Sequence, residues 1–230
     1  MLAILSDIHA NLPALEAVLA DAHKRGCKRF ISLGDVVGYG AQPGECIDLL
    51  KSLGAINILG NHDSYIVFKN DCPRSKKVSQ IITYQRALLT PQQIEWLSQS
   101  PRFLCEGNLM FVHGGPDDPC DQYLYTVSRS TVPEDIRWLF SGHTHVQIMA
   151  DFTDRSYCNP GSVGQPRDGD CRAAYAILDG ESVQLHRVVY DIDRAASAMI
   201  AAGFEPFYYE NLYVGAQIGG RIDQIDIIKD

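Results

Sequence analysis

Short apolar runs alternate with amphipathic stretches through the first sixty residues. Leu2-Ala-Ile-Leu-Ser6 is too brief for a helix and reads as a buried strand. Asn11 then stands as a helix cap with Pro13 in the first turn. Leu15, Val18 and Leu19 recur at helical spacing until Gly26 ends the pattern. Phe30-Ile-Ser-Leu33 predicts a second strand, residues 44–53 a second helix stopped by Gly54, and Ile56-Asn-Ile-Leu59 a third strand. Strands alternating with helices predict parallel pairing through right-handed crossovers. Residues 76–100 read as helical with a break at Pro91, and 109–113 as another strand. Beyond about residue 137 the texture changes. Short strands follow one another at 137–141, 146–151, 155–159, 173–178 and 182–190, before a helix at 191–202. With few helices between them, these strands are expected to pair antiparallel. The fold class is therefore α/β, in part α+β: a two-sheet β-sandwich flanked by helices, βαβ-rich first and hairpin-rich later. Neither a repeat nor a linker is evident, so residues 1–230 are expected to form one domain. Residues 64–100 would be a helical cap insertion and 204–230 a C-terminal extension.

The polar residues are not scattered evenly between these elements. The first strand ends in Ser6-Asp7-Ile8-His9, the second in Gly34-Asp35 and the third in Gly60-Asn61-His62-Asp63. Later strands end in His113-Gly114-Gly115 and Gly142-His143-Thr144-His145. In open α/β sheets, ligands bind beyond the carboxyl ends of strands. Five of the seven histidines lie in these clusters, and only His23 and His186 lie outside. Imidazole nitrogens together with carboxylate and amide oxygens suit divalent transition metals. His143 and His145, two apart, would face opposite ways on an extended strand, so a turn eased by Gly142 is expected to bring both inward.

Composition narrows the function classes. The net charge of −8 argues against a stable nucleic-acid partner, which would need a basic surface. No apolar run is long enough for a membrane span, and the N-terminus lacks the basic region of a secretory signal. Seven cysteines without a CxxC pair suit reduced thiols in the cytoplasm and do not match a zinc finger.

Asp7-x-His9, Gly34-Asp35, Gly60-Asn61-His62-Asp63, His113 and Gly142-His143-Thr144-His145 together resemble the calcineurin-like metallophosphoesterases, in order over residues 7–145. Asp35-Val-Val-Gly-Tyr-Gly and Asn159-Pro-Gly-Ser-Val-Gly-Gln-Pro-Arg167 resemble its small bacterial and archaeal phosphodiesterase-like branch, extending the likeness to about residue 190. The resemblance implies a metallophosphoesterase-like fold and two divalent metal ions: Mn first, with Fe, Zn, Co or Ni as alternatives. It implies that Asp7, His9 and His145 bind one ion, that Asn61, His113 and His143 bind the other, and that Asp35 bridges them. His62 would face the substrate as proton donor, oriented by Asp63. The implied reaction is hydrolysis of a small phosphate ester, diester or monoester, by a metal-bridging hydroxide. Within the enzyme class the alternatives are a nucleotide or dinucleotide polyphosphatase and a protein Ser/Thr phosphatase. Outside it stands a non-catalytic interaction scaffold of the same fold.

Weaker signals surround this core. Gly161–Arg167 reads as a glycine-rich turn, with a phosphate cradle as the alternative and Arg167 as a substrate contact. The segment 64–100 carries Lys69, Arg74, Lys76 and Lys77, either a solvated basic face or a cap that screens substrates. Near Gly115 and Asp117 relatives often have Ser and Arg, so this chain lacks a hydroxyl and exchanges a cation for an anion. Phe204, Phe207, Tyr208, Tyr209 and Tyr213 are expected to pack against the body, with a homo-oligomer interface as the alternative.

Overall fold

The computed structural model describes residues 1–228, so the last two residues of the expected 204–230 extension lie outside the described residues. The first half follows the apolar pattern. β1 (Leu2–Leu5), α1 (Leu12–Lys24), β2 (Arg29–Ser32), α2 (Pro43–Ser52) and β3 (Ile56–Asn57) form a parallel β1-β2-β3 unit. α1 begins where the cap predicts: Asn11 Oδ1 accepts from the Ala14 N–H at 3.2 Å, with Pro13 in the first turn. Three helices follow, α3 (Asn61–Val67), α4 (Lys76–Leu88) and α5 (Pro91–Ser98). Asn61, His62 and Asp63 thus occupy the first turn of a helix, immediately beyond β3.

The remaining strands are β4 (Phe103–Glu106), β5 (Leu109–Val112), β6 (Thr126–Val127), β7 (Trp138–Phe140), β8 (Gln147–Asp151), β9 (Ser156–Pro160), β10 (Ala173–Asp179) and β11 (Ser182–Val188). α6 (Ile192–Ala201) and β12 (Asp226–Ile227) complete the chain, β12 pairing in parallel with β6. One five-stranded sheet has the order β11-β10-β1-β2-β3, the other β4-β5-β7-β9-β8. The expectation of antiparallel pairing in the second half needs correction. β8/β9 and β10/β11 are antiparallel, but β5, β7 and β9 run parallel. The connection from β5 to β7 contains no α-helix, so the pattern that signals a parallel crossover is missing there. β4 was also not expected: it is a half-exposed edge strand without a continuous apolar run.

Strand alternation sorts the core into layers. Leu2 and Ile4 face the second sheet and pack with Ile31, Phe111 and Phe140, the two phenyl rings stacking at 5.0 Å. Ala3 and Leu5 point the other way, onto Leu15, Val18 and Ile47 of α1 and α2. With both faces buried, the strand has nowhere to slip, because a shift of one residue would exchange the two sets. The parallel strands of both sheets therefore deliver their carboxyl ends to one common edge.

The helical segment is fastened to that edge by a buried amide. Gln85 of α4 accepts from the Gly38 N–H at 2.6 Å and donates to the Gly40 carbonyl at 2.7 Å. The C-terminal aromatics divide: Tyr209 packs against the core, whereas Phe207 and Tyr213 stay exposed. Among the described residues no helix is long and apolar enough to cross a membrane.

Gln85→Leu keeps the volume but leaves the Gly38 N–H and the Gly40 carbonyl unpaired. It is expected to lower unfolding free energy by about 1–3 kcal/mol, read from urea denaturation. An unchanged midpoint would show that these two backbone groups reach water.

Candidate active site

The eight residues expected from the strand ends do converge. All are buried, none more than 5% exposed. Asp7 and His9 leave β1, Asp35 leaves β2, Asn61 and His62 follow β3, His113 follows β5, and His143 and His145 follow β7.

Backbone carbonyls set the imidazole orientations. His9 Nδ1 lies 2.8 Å from the Val37 oxygen, His113 Nδ1 2.9 Å from Leu33 and His145 Nδ1 2.6 Å from Gln165. A carbonyl only accepts, so each Nδ1 carries the proton and each Nε2 presents a bare lone pair in the neutral ring. Those Nε2 atoms meet other acceptors. His9 Nε2 and His145 Nε2 are 3.1 Å apart, and Asp7 Oδ1 lies 3.1 Å from His145 Nε2. In the second nest His113 Nε2 lies 3.1 Å from Asn61 Oδ1, 3.0 Å from His143 Nδ1 and 3.4 Å from Asp35 Oδ2. Asp35 Oδ2 is also 3.8 Å from His9 Nε2, so it stands between the two nests. Metal–ligand bonds of about 2.0–2.2 Å would place neighbouring ligands about 3.0–3.5 Å apart, the spacing seen here. Acceptors packed at that distance repel one another unless a cation sits among them, so the donor set fits divalent metal ions.

Apart from His113, the electrostatics agree. Burial opposes ionisation of Asp7, but the facing His145, then His113 and His9, hold it well below the usual carboxylate range. Asp35 behaves likewise, with His113 and His62 as the stabilising neighbours. Burial pushes His9 and His145 below the ordinary imidazole value, leaving their lone pairs available. His143 is lowered to about 4, again chiefly by burial. His113 differs: burial works against its charge, but the Asp35 carboxylate raises it to about 9.

The turn at 142–145 forms differently from the expectation. His143 (φ 66°) and His145 (φ 60°) themselves take the left-handed conformation, as do Asp7 (φ 52°), His9 (φ 48°) and Asp35 (φ 53°). Each such non-glycine residue costs of order 1–3 kcal/mol, and such strain gathers at functional sites. Gly142 serves close approach, since a Cβ there would lie 2.7 Å from Asp7 Oδ2. Gly60 is similar: a side chain would collide with the Asp35 carboxylate.

The expected contact between Asp63 and His62 is not formed. The Asp63 carboxylate accepts from the Val36 N–H (3.0 Å), the Val37 N–H (3.3 Å) and Asn57 Nδ2 (3.2 Å), joining the loops that follow β2 and β3. His62 is held instead by its backbone N–H, which donates to Asp35 Oδ1 at 2.8 Å. Its Nδ1 has no partner and packs against Gly38, while Nε2 lies 4.0 Å from Asp35 Oδ2. Burial lowers His62 to about 4, with Asp35 acting in the opposite direction.

The Gly161–Arg167 loop proves to be a buttress. Val163 and Gly164 donate their N–H groups to the Ser6 and Asp7 carbonyls at 2.9 and 3.0 Å, and Gln165 N–H to Ser162 Oγ at 2.7 Å. With those donors committed, the loop holds no free phosphate cradle. Asp121 was missed from the sequence. Its Oδ1 faces His143 Nε2 at 3.3 Å and also pairs with Arg74. It lies in the segment that departs from relatives, and no spacing rule marks it. Tyr39 was within reach of the sequence, in the Gly-Tyr-Gly run after Asp35; its ring meets His9 at 4.6 Å and His62 at 4.8 Å.

The comparisons agree with this geometry. The calcineurin-like phosphoesterase superfamily domain matches residues 1–182, and the chain belongs to that superfamily. It is a metallophosphoesterase, a hydrolase of phosphoric esters. The uncharacterized protein MJ0912 of Methanocaldococcus jannaschii is 33% identical over 94% of this chain and 98% of its own length. Phosphodiesterase YfcE of Escherichia coli K12 is 28% identical over 76% of this chain and 85% of its own. A metallophosphoesterase crystal structure from Sphaerobacter thermophilus superposes with a TM-score of 0.82 at 33% identity, covering 93% of this chain and 99% of that one.

Asp121→Asn removes the charge behind His143 while keeping the shape. It is expected to weaken divalent-metal affinity about 10–100-fold, measured by competition with a chelating dye, with the circular-dichroism spectrum unchanged. Equal affinity in both proteins would show that Asp121 serves only Arg74.

Proposed function

We propose that this chain hydrolyses small phosphate esters, diesters or monoesters, with two divalent ions. The observation that carries the reading is the pair of acceptor nests sharing Asp35 Oδ2. Asp7, His9 and His145 would hold one ion, Asn61, His113 and His143 the other, with Asp35 between them. The ions, when bound, supply Lewis acidity toward phosphoryl oxygens and lower the pKa of water. Manganese is the first candidate, since mixed nitrogen and oxygen ligation admits several metals.

The chain's own groups divide the remaining work. Ser6 Oγ donates to Asp7 Oδ2 at 2.6 Å, and the His143 N–H to the same oxygen at 3.0 Å, leaving Oδ1 directed at His145. Asp35 is fixed by the His62 N–H in the same way, so both carboxylates present one oxygen each. His62 borders the cleft, and in this reading its Nε2–H would donate to the leaving oxygen. Tyr39 packs against His62 and His9 and restricts both rings. A small substrate suits a cleft of about 440 Å³. YfcE, a phosphodiesterase by name, supports a diester among the substrates. The seven free cysteines support a cytoplasmic location.

Metal-free protein given Mn²⁺ is expected to hydrolyse bis-p-nitrophenyl phosphate or p-nitrophenyl phosphate. His62→Ala should lower kcat by about 10²–10⁴-fold while metal content, read by mass spectrometry, stays the same. Asp35→Ala is expected to lose metal and activity together. A metal-loaded protein inert on every aryl phosphomonoester and phosphodiester would sink the enzymatic reading and favour a scaffold. Full activity in His62→Ala would remove only the proton-donor assignment.

A further inference from the structure

The cleft above the nests has a chemistry that the metal site alone does not require. Asn61 and His62 form part of its floor, yet its volume of about 440 Å³ far exceeds one phosphoryl group. Its cationic lining comprises Arg74, Lys77, Arg167 and Arg221, and no aspartate or glutamate lines it, in a chain of net charge −8. Two of the four cations are already paired, Arg74 with Asp121 and Arg221 with Asp223 at 2.9 Å. Lys77 and Arg167 form no ion pair with a carboxylate among the described residues. Arg167 is 5% exposed, its guanidinium donating to Gln165 Oε1 at 2.9 Å, and its backbone N–H reaches the His145 carbonyl at 3.2 Å. A buried guanidinium beside the metal nests, without a carboxylate, is poised for an anion. Lys77 and Arg221 are exposed, so positive charge continues from the floor to the mouth.

Flat aromatic surface runs alongside. Tyr123 stacks on the His143 ring at 3.7 Å, and Tyr125 lies parallel to Tyr123, with an interplanar angle of 2° and ring centroids 5.4 Å apart. On another wall the Lys77 ammonium sits 3.5 Å from the Phe207 ring centroid. That contact joins α4 to the C-terminal segment, which lies beyond the superfamily match ending at residue 182. The segment is anchored rather than loose. The Asp223 N–H donates to the Arg167 carbonyl at 2.7 Å, the Gly169 N–H donates to the Gly215 carbonyl at 2.9 Å, and β12 pairs with β6. It contributes Phe207, Ile218 and Arg221 to the wall.

We infer that α4 and the C-terminal segment together select a nucleotide: a phosphate ester with a planar base and at least one anionic group beyond the phosphoryl group attacked. This rests on the phosphoesterase reading and adds its substrate class. Arg167 would take a phosphate oxygen near the metal nests. Lys77 and Arg221 would take the further phosphate, and the exposed Phe207 ring would pack against the base, since aromatic stacking tolerates any base. Lys77 and Phe207 are specificity residues in this account, without a part in bond cleavage.

The test uses Mn²⁺-loaded full-length protein with ATP, ADP, inorganic tripolyphosphate, a phosphopeptide and bis-p-nitrophenyl phosphate, together with calorimetric binding of a methylene-bridged ATP analogue. Lys77→Ala and Arg221→Ala are expected to raise KM for ATP and tripolyphosphate about tenfold more than for the aryl diester, and to weaken analogue binding about tenfold. Phe207→Ala should raise KM for ATP but not for tripolyphosphate, because only ATP carries a ring. Lys77→Arg should restore most of the loss. If the aryl diester is cleaved but ATP and its analogue bind no better than the diester, the nucleotide inference fails and the phosphoesterase reading stands. A preference for the phosphopeptide over ATP would also overturn it. If no ester is cleaved yet the analogue binds and the variants weaken it, the cleft inference holds and the catalytic reading fails.

Discussion

The structure turns on one electrostatic constraint: bare acceptor atoms of buried side chains face each other across about 3 Å at the edge of the sandwich. His9 Nε2 and His145 Nε2 cannot bond to one another while each Nδ1 proton is committed to a carbonyl. Both rings are buried, so solvent screens the repulsion only weakly. Only positive charge placed among the acceptors makes the arrangement favourable. The strained backbone at Asp7, His9, Asp35, His143 and His145 has the same origin, because an extended chain could not aim these side chains at common points.

That constraint explains which features surround the site. The two sheets share a core of Leu2, Ile4, Phe111 and Phe140, and this core fixes where the carboxyl ends of β1, β2, β5 and β7 emerge. Asp63 then ties the loop after β2 to the loop after β3, and the Gly161–Arg167 turn backs the loop after β1. Glycine appears where these loops cross within contact of Asp7 and Asp35. Residues that never touch a ligand therefore decide whether the nests form.

Much of this was legible in the sequence because metal-ligating residue types sit next to short apolar runs. A buried strand that ends in Asp-x-His or Gly-His-x-His has few other uses for those side chains. Asn11 as a cap and Gly26 as a stop were equally readable, since both act within one turn. What was not legible depends on distant partners. The parallel order of β5, β7 and β9 was hidden because no helix marks the crossover between β5 and β7. Asp121 gains meaning only when a loop folds it against His143. Asp63 has the right neighbour in sequence, yet its carboxylate finds better donors in the backbone at Val36 and Val37 than in the adjacent His62. That Phe207 and Arg221 line the cleft was also hidden, because no local pattern reveals which wall a distant segment will complete.

The left-handed residues have a thermodynamic consequence. Five distorted positions surrounding mutually repelling acceptors make this edge of the molecule unfavourable on its own. Whatever cation fills the nests therefore acts as a fastener across both sheets, and mass action links its free concentration to the population of the folded state. Metal supply would then govern how long the protein persists as well as how fast it works. Starved of the ion, a cell would hold a less durable molecule, with the strand ends of both sheets the first part to loosen.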